Sequence, residues 1–114
     1  SIMEFVDNKP IYIQIYDSIC EKILSGEYIE ESRIPSVREM GGEIGVNPNT
    51  IMRSYEKLSS EGIIFNKRGT GYFVSADARE NILAAQRREF IENELPLIKK
   101  RIKLLGIDIS ELCK

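Results

Sequence analysis

Ile34-Pro35-Ser36-Val37-Arg38-Glu39-Met40-Gly41-Gly42-Glu43-Ile44-Gly45-Val46-Asn47-Pro48-Asn49-Thr50 is the stretch on which the reading of this chain turns. Ser36 and Glu39 stand at the spacing of a capping box, in which a hydroxyl and a carboxylate each satisfy an orphaned backbone donor. A short helix is therefore predicted to start there, burying Val37, Met40 and Ile44 and stopping near Gly45, whose freedom at positive φ permits a tight turn. Asn47-Pro48 is an N-cap residue followed by a proline at the first helical position, so a second helix restarts almost at once. Along it Ile51, Tyr55 and Leu58 form a buried stripe, while Asn49, Thr50, Arg53 and Lys57 share another face. Gly41-Gly42 is out of character for a helix, since each glycine costs about 1 kcal/mol against alanine in a helix interior; close helix-helix approach is one reason to tolerate the pair.

Working outward, Pro10 to Gly26 carries Tyr12, Ile15, Tyr16, Ile19, Cys20, Ile23 and Leu24 at three- and four-residue spacing, the pattern of an amphipathic helix with Cys20 on its buried stripe. Downstream, Gly62 ends the second helix of the motif. Two short apolar runs, Ile63-Ile64-Phe65 and Tyr72-Phe73-Val74, flank Asn66-Lys67-Arg68-Gly69-Thr70-Gly71, the pattern of a hairpin with a basic, glycine-relaxed tip. From Asp77 to Leu105 the helical period returns, with Leu83, Phe90, Ile91, Leu95, Ile98, Ile102 and Leu105 at near-heptad spacing. Pro96 is expected to kink or divide that helix and Gly106 to close it, and Asp108 with Glu111 resembles the start of a last short helix.

Composition narrows the function classes. With 114 residues of which 42% are hydrophobic, one folded domain plus an appendage is expected. No run of about 18 apolar residues offers a membrane span, and the first residues lack the layout of a signal peptide, so a cytoplasmic location and no membrane partner are expected. Cys20 and Cys113 lie far apart and outside any metal-ligand spacing, which suggests neither a zinc site nor a disulfide framework, and no cofactor is expected. The chain has no histidine, the commonest general base near neutral pH, and an enzyme is not expected. The formal net charge is -2, but between Arg33 and Tyr72 six cations (Arg33, Arg38, Arg53, Lys57, Lys67 and Arg68) face four carboxylates (Glu39, Glu43, Glu56 and Glu61), a local balance of +2.

Two short helices joined by a tight turn and followed by a basic hairpin is the order of a winged helix-turn-helix. The fold class is mainly α with a small β-hairpin: a winged helix-turn-helix over residues 9–75, then a C-terminal helical dimerisation segment over residues 76–114. The candidate DNA-binding residues are Ser36, Arg38, Asn47, Asn49, Thr50, Arg53, Lys57, Lys67, Arg68, Gly69 and Thr70. Asn49 and Thr50, leading the second helix into the major groove, are candidates for base edges. Arg53 and Lys57 are placed to reach phosphates, with guanine open to Arg53. Arg38, on the first turn of the helix that crosses the backbone, can grip a phosphate bidentately. Lys67 and Arg68 can neutralise phosphates while Gly69 and Gly71 let the backbone approach the duplex. Leu83, Phe90, Ile91, Leu95, Ile98, Ile102 and Leu105 are the candidate homodimer contacts. The partners expected are double-stranded operator DNA and a second copy of the chain. A rival reading is a winged-helix module that binds protein, in which Asn49, Thr50 and Arg53 would tolerate alanine with no loss of DNA affinity.

Pro10-Ile11-Tyr12, Gln14-Ile15, Ile34 to Arg38, Gly45 to Thr50, Tyr55, Leu58, Glu61-Gly62 and Gly69 to Val74 together resemble the GntR family of bacterial regulators, from about Lys9 to Ser75. The resemblance implies a DNA-binding domain in which Arg38, the first residues of the second helix and the glycine-bearing wing touch the operator. The short remainder resembles the YtrA-like branch. That likeness implies dimerisation through two short helices and repression of a nearby operon, often one encoding an ABC transporter. A small-molecule effector is disfavoured, since a cavity of about 300 Å³ is hard to build from so short a tail unless the dimer interface supplies it. The chain departs from the family pattern at Gly41 and Gly42, where alanine is usual at one or both positions, at Glu30-Glu31, where Pro-Gly is usual, and at Pro48 and Met52, where many members have DNA-contacting arginines.

Overall fold

The computed structural model describes residues 8–114. Helix α1, Ile11–Leu24, follows Pro10 and turns Ile15, Tyr16, Ile19, Cys20 and Ile23 inward. It ends at Ser25, with Gly26 in the left-handed region at φ 86°. Arg79 donates to the carbonyl of Leu24 at 2.7 Å, giving one orphaned acceptor at this end a cationic partner.

Helix α2, Val37–Ile44, begins with the expected capping box. Ser36 Oγ accepts from the Glu39 amide at 3.0 Å, and the Glu39 carboxylate accepts from the Ser36 amide at 2.9 Å. Gly45 closes it in the left-handed conformation at φ 72°. Of the three residues expected inside, Met40 is buried and Val37 and Ile44 are half-buried against the core. Helix α3, Pro48–Ser60, starts at the Asn47 cap, whose Oδ1 accepts from the Asn49 amide at 2.8 Å, and buries Ile51, Ser54, Tyr55 and Leu58. The buried Ser54 hydroxyl donates to the Tyr12 carbonyl at 2.7 Å, so the polar group packed between α1 and α3 is satisfied.

Strands β1, Ile64–Lys67, and β2, Gly71–Val74, pair antiparallel with Ile64 opposite Val74 and Lys67 opposite Gly71. The ladder runs further than the apolar runs suggested, because Asn66 and Lys67 pair as well, and the tip shrinks to Arg68-Gly69-Thr70. The segment before α2 lies along β2: Arg33 bridges to Phe73, and Glu31, Val74 and Ile34 complete backbone bonds at 2.8–3.0 Å with Val74, Ser32 and Tyr72. This third line of hydrogen bonds is what a two-stranded hairpin needs to stand on its own.

Ile15, Ile19, Ile34, Ile51, Tyr55, Leu58, Ile63, Ile64, Val74 and Ile82 form one core, each almost wholly removed from water, at about 1.5–3 kcal/mol per large side chain buried. The compact unit built on this core runs to Ile82, beyond the boundary expected after Ser75, because Ala78 and Ile82 at the start of helix α4, Ala78–Glu89, are core residues. A second unit spans Leu83–Lys114. In it α4 gives way to a π-helical stretch, Phe90–Glu94, before α5, Leu95–Leu104, and a short α6, Ile109–Leu112. Pro96, in the first turn of α5, lacks a donor for the carbonyl four residues back and would collide with it. The chain widens instead, and the Leu95 amide reaches Phe90 O. Gly106 at φ 68° closes α5 and Asp108 caps α6. No described helix is long and apolar enough to cross a membrane.

Candidate nucleic-acid interface

The turn between α2 and α3 is held from inside. Gly41 O accepts from both the Gly45 and Val46 amides, at 2.9 and 3.0 Å, and a Cβ on Gly41 would lie 2.7 Å from Val46 O. The turn is therefore folded down on Gly41, whereas Gly42 faces open space. The closest approach is to the turn's own backbone, with Pro48 at the start of α3 next, 3.7 Å from the same Cβ position. It brings the N-terminus of α3, with exposed Asn47 and Asn49 and half-buried Thr50, out at one end of the motif.

Arg38, on the first turn of α2, is exposed and has no ion-pair or hydrogen-bond partner among the described residues. Arg68 is likewise exposed and unpaired at the wing tip, beside Gly69, which takes φ 78° and has nothing near it. Lys67 sits 5.8 Å from the Phe73 ring centroid with its charge in solvent. Arg53 is exposed and stacks on Tyr12, its guanidinium carbon 3.9 Å from the ring centroid. The stack restrains the long side chain in one direction along α3, worth about 0.5–1 kcal/mol at an exposed site.

Lys57 departs from its expected place on that face. Its ammonium pairs with Glu61 at 2.9 Å and lies 4.8 Å from the Tyr16 ring centroid, while the Tyr16 hydroxyl donates to the other oxygen of the same carboxylate. Helical spacing brought Lys57 near the Arg53 face, but its charge is turned to the α1 seam because a half-buried carboxylate waits there. Burial, then the bond to Glu61, pushes the Tyr16 hydroxyl above its ordinary range, and burial pushes the neighbouring Cys20 thiol up to about 12. Cys20 is thus a protonated core thiol.

Two residues escaped the sequence reading as site members. Arg33, counted before only as a charge, donates from Nε to the Thr70 carbonyl at 3.2 Å and from Nη2 to Glu39 at 3.3 Å. Tyr72 sets its ring edge-on to Tyr55, with centroids 4.9 Å apart, and its hydroxyl 3.9 Å from Met52 Sδ, so the second wing strand rests on α3. No local signal marks either role. Ser36 and Thr70 are brought together through this Arg33-Glu39 link, their oxygens serving the capping box and the guanidinium. The hydrogen bond from the Ser36 amide, then the Ser36 hydroxyl and Arg33, hold the Glu39 carboxyl below its ordinary range.

The remaining candidates lie in the second unit. Leu83, Phe90, Ile91, Ile98 and Leu105 are exposed, and Leu95 and Ile102 are half-buried. Leu97, Leu104, Ile107, Ile109 and Leu112 are exposed as well, so the apolar surface is wider than the heptad pattern suggested. The π turn shifts the helical phase between Phe90 and Leu95, which is why one stripe does not describe both helices.

The model of the bacterial regulatory proteins of the gntR family matches residues 11–74, the whole of α1 through β2. The chain belongs to the GntR family. Over 99 residues it is 36% identical to the HTH-type transcriptional repressor YtrA of Bacillus subtilis, covering 87% of this chain and 70% of that one. Among solved structures, a GntR-family transcriptional regulator from Bacteroides thetaiotaomicron shares the fold with TM-score 0.78 and 46% identity, covering 90% of this chain and 89% of that one. The DNA-binding domain of AraR, solved in complex with operator ORE1, matches with TM-score 0.58 and 27% identity over 64% of this chain and 89% of that one. This GntR protein is a YtrA-like, winged helix-turn-helix, DNA-binding transcription regulator, a family of regulators and not of enzymes.

Proposed function

We propose that this GntR-family chain is a homodimeric repressor that acts in the cytoplasm on a palindromic operator, with half-sites about 10 base pairs apart, and controls a nearby operon such as one for a transporter. The observation that carries the reading is Arg38: an exposed guanidinium on the first turn of α2 with no partner among the described residues, whereas Arg33 and Lys57 are ion-paired and Arg53 is stacked on Tyr12. An unpaired arginine there has its bidentate fork available for phosphate. Asn49 and Thr50 take the base edges, Arg53 is steadied by Tyr12 for a phosphate or a guanine, and Lys67 and Arg68 with the open Gly69 backbone follow the neighbouring groove. The Ser36 and Asn47 caps present the helix ends, whose dipoles favour phosphate.

The exposed apolar side chains of Leu83–Lys114 support a symmetric contact between two copies, since a monomer gains nothing by presenting Leu83, Phe90, Ile91, Leu97, Ile98 and Leu104 to water. Control by an effector molecule is not part of the proposal. The test is selection of duplexes from a randomised library, followed by fluorescence anisotropy on the enriched sequence at two salt concentrations. Selective binding should weaken with salt and fall by about 1–3 kcal/mol in Arg38→Ala. Failure to enrich any sequence, or an indifferent Arg38→Ala, would instead favour a winged-helix module that binds protein.

A further inference from the structure

The tip of the wing, Arg68-Gly69-Thr70, is joined to the rest of the molecule by one side-chain hydrogen bond among the described residues, that of Arg33. Arg33 lies opposite Phe73 on the segment preceding α2. Its Nε donates to Thr70 O at 3.2 Å and its Nη2 to Glu39 Oε1 at 3.3 Å, and the same carboxylate oxygen accepts from the Ser36 amide at 2.9 Å. A single guanidinium therefore spans from the wing tip to the N-cap of the helix that carries Arg38. Gly71 makes the room: a Cβ there would lie 2.9 Å from Arg33 Nε.

Nearly half of the Arg33 side chain is exposed, and its bonds face solvent, so the contact adds little to global stability. What it restricts is orientation. A short hairpin swings at its tip unless something ties it, and every direction it samples is a cost that binding must meet.

Resting on the DNA-binding reading above, we propose that Arg33 is a positioning residue for operator recognition: it ties the wing to the start of α2, so that Lys67 and Arg68 meet the duplex in a fixed relation to Arg38 without Arg33 itself touching a phosphate.

The probe is a fluorescein-labelled duplex enriched by the wild-type chain from a randomised library, titrated by anisotropy over a range of salt. The proteins are wild type, Arg33→Met, Arg33→Lys, the wing variant Lys67→Ala/Arg68→Ala, that wing variant combined with Arg33→Met, and Arg38→Ala. Arg33→Met and Arg33→Lys should each weaken binding about three- to tenfold, because a lysine keeps the charge and lacks the two-pronged fork. The salt slope of Arg33→Met should match wild type, whereas the wing variant should lower it by about one per cation removed. The wing variant should also cost less affinity on the Arg33→Met background than on wild type. Melting temperatures of both Arg33 variants should stay near wild type.

Wild-type affinity in Arg33→Lys together with a lowered slope in Arg33→Met would make Arg33 a phosphate contact and overturn the proposal. Strictly additive losses, or an Arg33→Met protein that melts far below wild type, would overturn it too. An Arg38→Ala protein that binds like wild type would sink the DNA-binding reading itself, whereas a weakened Arg38→Ala beside unaffected Arg33 variants would sink the tie alone.

Discussion

Gly41 and Gly42 are neighbours in one short helix, yet the structure assigns them opposite responses to the same methyl group. Both sit at helical φ, so Gly→Ala should gain the usual propensity term of about 1 kcal/mol in a helix interior, and less near a helix end. At Gly42 nothing lies within 4 Å of the added Cβ, and Gly42→Ala should stabilise the protein by about 0.5–1 kcal/mol, raising the melting temperature by about 2–6 °C for a domain of this size. At Gly41 the Cβ would sit 2.7 Å from Val46 O, a backbone atom held in the turn by Gly41 O itself. Relief requires the turn to open, and overpacking of this kind costs about 1–3 kcal/mol. Against the propensity gain, Gly41→Ala should come out about 0–2 kcal/mol destabilising, with the two alanine variants separated by about 1–3 kcal/mol. Urea and thermal melts followed by far-UV circular dichroism give both values. Because Val46 leads directly into the Asn47 cap, the same substitution should also weaken binding of the enriched duplex, whereas Gly42→Ala should leave it unchanged. A Gly41→Ala protein at least as stable as Gly42→Ala would refute the account of the turn.

Other substitutions probe what the structure added. Lys57→Met should lower stability by about 1 kcal/mol by leaving Glu61 short of its partner, while duplex affinity stays within about twofold; a salt slope reduced by about one would put the ammonium back on the DNA. Glu31 occupies the left-handed region at φ 64°, a conformation costly to a side-chain-bearing residue, and Glu31→Gly should stabilise by roughly 0.5–1 kcal/mol, checked by urea midpoint; an unchanged or lower midpoint would mean the strain is relieved elsewhere. Glu39 has its carboxyl pKa lowered in the folded state by the Ser36 amide and hydroxyl and by Arg33. Its contribution is then present above the unfolded-state pKa and is lost as pH falls through the folded value, so Glu39→Gln should lower stability at neutral and alkaline pH without changing the slope there, and should flatten the acid limb. A variant whose acid limb tracks wild type would remove Glu39 from that role.

Much of the interface was open to reading because its signals are local. A capping box closes over three residues, and Asn47-Pro48 announces a helix start by the chemistry of two adjacent side chains. The glycines at 45, 62, 69 and 106 mark turns by their positive φ. Arg38 and Arg68 are candidates from the order of helix, turn, helix and hairpin, and both are exposed without an ion-pair partner among the described residues. The tip of the wing is shorter and its ladder longer than the sequence suggests, since Asn66 and Lys67 look like loop residues but pair with Tyr72 and Gly71. Glu30-Glu31 was seen as a departure from the family's Pro-Gly, yet what that departure entails, a glutamate held at positive φ, follows from the backbone bond to Val74.

Amino-acid order alone settled the helix-turn-helix, the basic wing, the amphipathic α1 and the break at Pro96, because each depends on residues within a turn or two of one another. Where the charges point was decided in three dimensions. Arg33 meets Thr70 across 37 residues of chain, and Tyr16 meets Glu61 across 45, drawing Lys57 off the face that helical spacing suggested. Helical periodicity specifies the direction in which a Cβ leaves the backbone, but a long cationic side chain follows whichever carboxylate or carbonyl the packing of other elements brings within its reach.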